Sequence, residues 1–188
     1  MAKISIGDNP RLEAIREGDG TRVAVITHPH PLYGGNMHNN VVEAARDAAL
    51  AHGFSTLRFN FRGVGASDGL HDGGPGEIDD LATAIGCAED YPIILGYSFG
   101  AWIAAGFLKR RTLPCILIAP PSAMFEFPSL KGLPVWAVVG AHDQFYDATT
   151  FEALIDPGRL TVIDGIDHFW FGREWALRAY LDHILPTL

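Results

Sequence analysis

An α/β architecture, with a mostly parallel central sheet and helices on both faces, is what this sequence of 188 residues predicts. Three observations carry the prediction. Short β-branched runs alternate with longer helical patterns. The runs are apolar throughout, as in strands buried on both faces of a parallel sheet. A single serine between two glycines, in "ILGYSFGAWIAAGFL", sits where one run ends and a helical pattern begins.

Taken in order, Leu12–Arg16 alternates and reads as an antiparallel edge strand. Val23–Thr27 is the first parallel strand. Asn40–His52 is a helix with Val41, Val42, Ala45, Ala48 and Ala49 on one face. Thr56–Phe61 is the next strand, and Glu77–Glu89 a helix through Ile78, Leu81, Ala82 and Ile85. Ile93–Leu95 leads into Phe99–Lys109, apolar nearly all round and so deeply buried. Cys115–Ala119 and Val135–Val139 follow as strands, then a short helix over Thr149–Ile155. Leu160–Ile163 is the last strand, and Glu174–Leu185 the last helix, with Leu177, Leu181 and Ile184 inward. No repeat, low-complexity tract or linker interrupts this order, so residues 1–188 read as one domain.

Composition narrows the function. The formal net charge is −8, which argues against nucleic acid and anionic membrane as partners. No apolar run approaches the ~18 residues of a membrane span, and "MAKISIGDNP" has no signal-peptide core, so the expected location is cytoplasmic. Cys87 and Cys115 read as two buried thiols in a reducing compartment. Neither edge strands nor the apolar C-terminus require an oligomer, although both permit one.

In an open parallel sheet, ligands collect at the carboxyl ends of the strands. Gly96-Tyr97-Ser98-Phe99-Gly100 is a G-x-S-x-G pattern in the strand-to-helix context that gives it meaning. Side chains flanking so tight a turn would collide, hence the glycines. Ser98 Oγ then stands above the sheet beside the free N–H groups of a helix start, and the Phe99 N–H becomes an oxyanion donor. A serine nucleophile needs a base and an acid to orient it, in chain order Ser, Asp, His. Asp143 in "VVGAHDQF" and His168 in "IDGIDHFWFG" satisfy that order. Asp147 competes with Asp143; Asp164 and Asp167 are read as shaping the His168 loop.

The loop "HPHPLYGGNMHN" should face Ser98 and supply the second oxyanion donor. Pro29 and Pro31 lack N–H groups, which leaves His30, Leu32 or Tyr33. Leu32 is favoured, because Gly34 and Gly35 beyond it allow close approach of backbone to substrate. His28, His30 and His38 have no partner at a metal-site spacing, so no metal is assigned. "NFRGVGASDG" reads as a loop at the pocket rim, with Arg62 in a salt bridge beneath the site. Tyr33, His30 and Phe145 are assigned to the substrate pocket, with Met124, Phe125, Phe169 and Trp170 as further aromatic or apolar candidates.

These motifs, "HPHPLYGGNMHNNVV", "FNFRGVGASDG", "GYSFGA", "GAHDQF" and "DHFWFG", together resemble the α/β-hydrolase superfamily, within it the small dienelactone-hydrolase-like group. The resemblance spans essentially the whole chain. It implies the α/β-hydrolase fold and a serine hydrolase with Ser98, His168 and Asp143 as nucleophile, base and acid, with no cofactor. Dienelactone hydrolases themselves place cysteine where this chain has Ser98. Many relatives also insert a cap, whereas "PPSAMFEFPSLKGLP" is only fifteen residues and forms at most a flap. The expected activity is hydrolysis of small carboxylic esters. A thioesterase or other acyl hydrolase on the same residues, or a non-catalytic small-molecule binder on this fold, are the alternatives.

Overall fold

The computed structural model describes residues 2–88 and 91–188. Eight strands form one sheet: β1 (Ala2–Ile6), β2 (Leu12–Glu17), β3 (Val23–Thr27), β4 (Ser55–Phe59), β5 (Ile93–Tyr97), β6 (Cys115–Ile118), β7 (Val135–Gly140) and β8 (Leu160–Ile163). Their order is β1-β2-β4-β3-β5-β6-β7-β8. The first two strands run antiparallel to their neighbours, and every later pairing is parallel. The helices are α1 (Asn40–Ala51), α2 (Pro75–Gly86), α3 (Phe99–Phe107), α4 (Ala148–Glu152) and α5 (Glu174–Ile184).

Adjacent residues of each buried strand point to opposite faces, so a run such as Val23-Ala24-Val25-Ile26 fills two cores at once. Val25, Leu57, Ile94, Leu117 and Ala137 meet Leu81 and Ile85 of α2 and Ile103 and Phe107 of α3. Ala24, Ile26, Leu95, Ile116 and Val138 meet Val41, Val42 and Ala45 of α1 and Leu177 and Leu181 of α5. Burying one such Val or Leu side chain contributes about 1.5–3 kcal/mol. That is why both helix layers are held without a disulfide.

Several expectations are corrected. β2 is antiparallel but not an edge, because β1 lies outside it. β1 exposes most of its residues, and so lacks the apolar run that marks the inner strands. β4 is buried throughout, yet carries Arg58 at 2% exposure. Its charge is met by Glu17 at 3.1 Å and by the Met37 carbonyl at 2.9 Å. β4 also ends at Phe59, two residues before the expected Phe61. The expected helix end at Glu89 lies outside the described residues. Cys115 is buried but Cys87 is exposed, beyond the end of α2. Residues 119–134 build no cap: Phe127 and Leu130 are buried in the core, and Phe125 stacks on Trp102 with centroids 4.6 Å apart.

Candidate active site

β5 passes into α3 through Ser98, whose backbone is left-handed at φ 54° and ψ −120°. Its N–H donates to the Ile118 carbonyl at 2.9 Å, which ties the turn to β6. The flanking glycines are dictated by space. A Cβ on Gly96 would lie 2.7 Å from the Gly100 carbonyl oxygen, and one on Gly100 would lie 2.8 Å from that of His28. Strained backbone of this kind persists only where the surroundings over-determine it.

Above the sheet, Ser98 Oγ lies 2.8 Å from His168 Nε2, and His168 Nδ1 lies 2.8 Å from Asp143 Oδ2. All three residues are buried. Asp143 is held where β7 ends: its N–H donates to the Gly140 carbonyl, and its Oδ1 accepts the Phe145 N–H at 2.8 Å. The Tyr97 hydroxyl donates to the His168 carbonyl at 3.1 Å, and burial pushes that phenol up, so it remains a donor. Phe145 meets the His168 ring edge-on at 4.8 Å. In such an arrangement the imidazole can take the serine proton while the carboxylate fixes its tautomer and stabilises the imidazolium. Phe99, the first residue of α3, has an N–H without an intrahelical acceptor beside Ser98.

The competing carboxylates have other roles. Asp147 caps α4, accepting from Thr150 N–H and hydroxyl at 3.2 and 2.7 Å. Asp167 accepts from the Phe169 and Trp170 N–H groups and so shapes the His168 loop.

The loop after β3 departs from the expectation for Leu32. The Leu32 N–H donates to His30 Nδ1 at 3.2 Å, and the residue is 72% exposed and does not line the cleft. The Pro29 carbonyl lies 2.6 Å from His28 Nδ1 and accepts its proton. In a trans peptide the His30 N–H points the opposite way from that carbonyl. Among the described residues, the His30 N–H has no acceptor.

His28 is fully buried, and its Nε2 accepts the Phe61 N–H at 3.0 Å. Both ring nitrogens are therefore used by backbone, in the neutral form. Burial, opposed by the bond to Pro29, moves its pKa from 6.5 down to about 4. An unfolded His28 titrates at its ordinary value, so between these limits the unfolded chain holds more protons and stability falls as the pH falls. We expect a loss on the order of 3 kcal/mol as pH drops from about 6.5 to about 4, and none from this group above that window. Denaturant melts at about pH 7 and about pH 4.5 check this: a His28→Gln variant should lose markedly less on acidification than the wild type.

A cleft of about 620 Å³ opens above Ser98 and His168. Of the expected pocket residues, Tyr33, His30, Phe145, Met124, Phe125 and Phe169 line it, and Trp170 does not. Trp170 is wholly buried and left-handed at φ 60°, which turns its ring into the core and leaves Phe171 at the cleft instead. The Asn60–Gly69 loop is also not at the rim. None of its residues lines the cleft; Arg62 Nη2 instead meets buried Asp80 at 2.7 Å, the ion pair expected for Arg62. Sequence reasoning missed Asn60, whose Oδ1 accepts the Met37 N–H at 2.8 Å and with Arg58 fixes the loop beside the cleft. The two polar residues in and just after a buried strand were the available signal.

The chain matches the alpha/beta hydrolase family model over residues 34–185 and belongs to that family. An uncharacterized protein of Rickettsia prowazekii is 36% identical, over 87% of this chain and 78% of its own length. An alpha-beta serine hydrolase homologue from Coxiella burnetii has a TM-score of 0.85 at 31% identity, covering 98% of this chain and 97% of its own. An α/β serine hydrolase without lid from Xanthomonas campestris reaches 0.87 at 27% identity, covering 100% and 94%. The chain is thus an α/β hydrolase that carries no cap domain among the described residues.

Proposed function

We propose that this hydrolase cleaves small carboxylic esters through an acyl-enzyme on Ser98. The observation that carries the reading is the unbroken chain from Ser98 Oγ through His168 to Asp143, with both links at 2.8 Å. His168 Nε2 takes the hydroxyl proton as Oγ attacks the ester carbonyl, and Asp143 steadies the imidazolium. The oxyanion receives hydrogen bonds from the Phe99 N–H and from the His30 N–H, which takes the place expected for Leu32. His168 then returns the proton to the departing alcohol and activates the water that frees the acid.

Substrate size follows from the cleft. Its walls are largely aromatic, and among the described residues no lysine or arginine lines it. A neutral ester with an apolar acyl or aryl group loses little on entering such walls, whereas an anionic one leaves its charge unpaired. Steady-state kinetics on a panel of p-nitrophenyl esters, with matched thioesters and anilides, tests the reading. Neutral short and aryl esters should give the highest kcat/KM. Thioesters preferred over matched esters would replace the esterase assignment by a thioesterase one.

A further inference from the structure

His30 is placed to do more than offer a backbone amide. Its Nδ1 accepts the Leu32 N–H and so caps the short 3₁₀ turn Pro31–Tyr33. Its carbonyl accepts the Tyr33 and Gly35 N–H groups, both at 3.1 Å. The ring is packed on three sides, with centroids 4.8 Å from Tyr33, 4.8 Å from Phe99 and 4.9 Å from His71. His71 is itself fixed, its Nδ1 lying 2.7 Å from Oε1 of Glu77, a fully buried residue of α2. Burial, and then the neighbouring His71, hold the His30 pKa below the usual histidine value, which keeps Nδ1 free to accept at neutral pH.

We infer that the His30 imidazole is a positioning residue: through the Leu32 N–H it locks the turn that aims the His30 amide at the oxyanion. Two features meet at His30. The side chain that caps the start of the turn belongs to a residue that itself lines the cleft. That side chain also packs on Phe99, which carries the other donor. One imidazole therefore sets the spacing between the two N–H groups. A misplacement of about 1 Å at such a site costs on the order of a hundredfold in rate.

The inference rests on the esterase reading, and two variants test it by keeping opposite halves of the residue. His30→Phe keeps the ring packing and removes the acceptor. His30→Asn removes the ring and keeps an acceptor suited to capping. Turnover of p-nitrophenyl butyrate is measured on the full chain, with active sites counted by fluorophosphonate titration. His30→Phe should lower kcat by about 10- to 100-fold with KM nearly unchanged, and His30→Asn should retain at least about tenfold more activity than His30→Phe. The signature is a loss in kcat per titrated site; a merely structural role would lower the number of sites instead. Wild-type kcat in His30→Phe, or a His30→Asn as impaired as His30→Phe, would overturn the inference. If either variant fails to fold, the other still decides by its own kcat. A wild type that neither titrates nor turns over would instead remove the esterase reading itself.

Discussion

Ser98→Ala should lower ester turnover by about a millionfold while leaving the fold in place. Among the described residues the serine hydroxyl makes one hydrogen bond, to His168 Nε2. The turn itself is held by backbone, through the Ser98 N–H on Ile118 and the Ser98 carbonyl on Ala101 and Trp102 N–H groups. Alanine accepts the same φ as serine, so the strain at 54° is unchanged. Loss of the one hydrogen bond costs about 0.5–1.5 kcal/mol of stability, far less than the kinetic effect. Thermal melts beside spectrophotometric turnover separate the two. A variant retaining more than about a hundredth of wild-type turnover would place the nucleophile elsewhere.

Asp143→Asn should reduce turnover by about ten-thousandfold with little loss of structure. The reason lies in what holds the carboxylate. Oδ1 accepts the Phe145 N–H while Oδ2 faces His168 Nδ1. An asparagine must keep its oxygen towards the Phe145 N–H, and so turns its NH₂ towards His168. The imidazole can then meet it only as an acceptor at Nδ1, with its proton on Nε2. A protonated Nε2 cannot take the Ser98 proton. Stopped or steady-state ester kinetics on the variant read this directly, and a loss smaller than about tenfold would show that Asp143 does not set the tautomer.

Most of the architecture was legible because parallel strands buried on both faces need continuous apolar runs. β3 and β5 to β7 show such runs, whereas β8, at the far edge of the sheet, is partly or fully open to solvent along its whole length. β1 shows no such run, since four of its five residues remain at least partly open to solvent. Arg58 breaks the pattern of β4, and its burial makes sense only once Glu17 and the Met37 carbonyl stand beside it. Local pattern carries no record of such partners.

The site divides in the same way. Ser98, Asp143 and His168 follow strand ends in a fixed chain order, which a sequence displays. The second oxyanion donor proposed here depends on the orientation of one peptide plane, between Pro29 and His30. That plane is set by His28 reaching the Pro29 carbonyl while its other nitrogen holds Phe61, a contact across 33 positions of sequence. Spacing alone therefore pointed to Leu32. Trp170 and Phe171 were exchanged for a similar reason: one left-handed residue reverses which neighbour faces the cleft.

The most direct test of the account is intact-mass labelling with a fluorophosphonate, on the wild type, Ser98→Ala and His168→Ala. The account predicts one adduct on the wild type, none on Ser98→Ala and very slow labelling of His168→Ala. No adduct on folded wild type, or an adduct that survives the loss of Ser98, would contradict it.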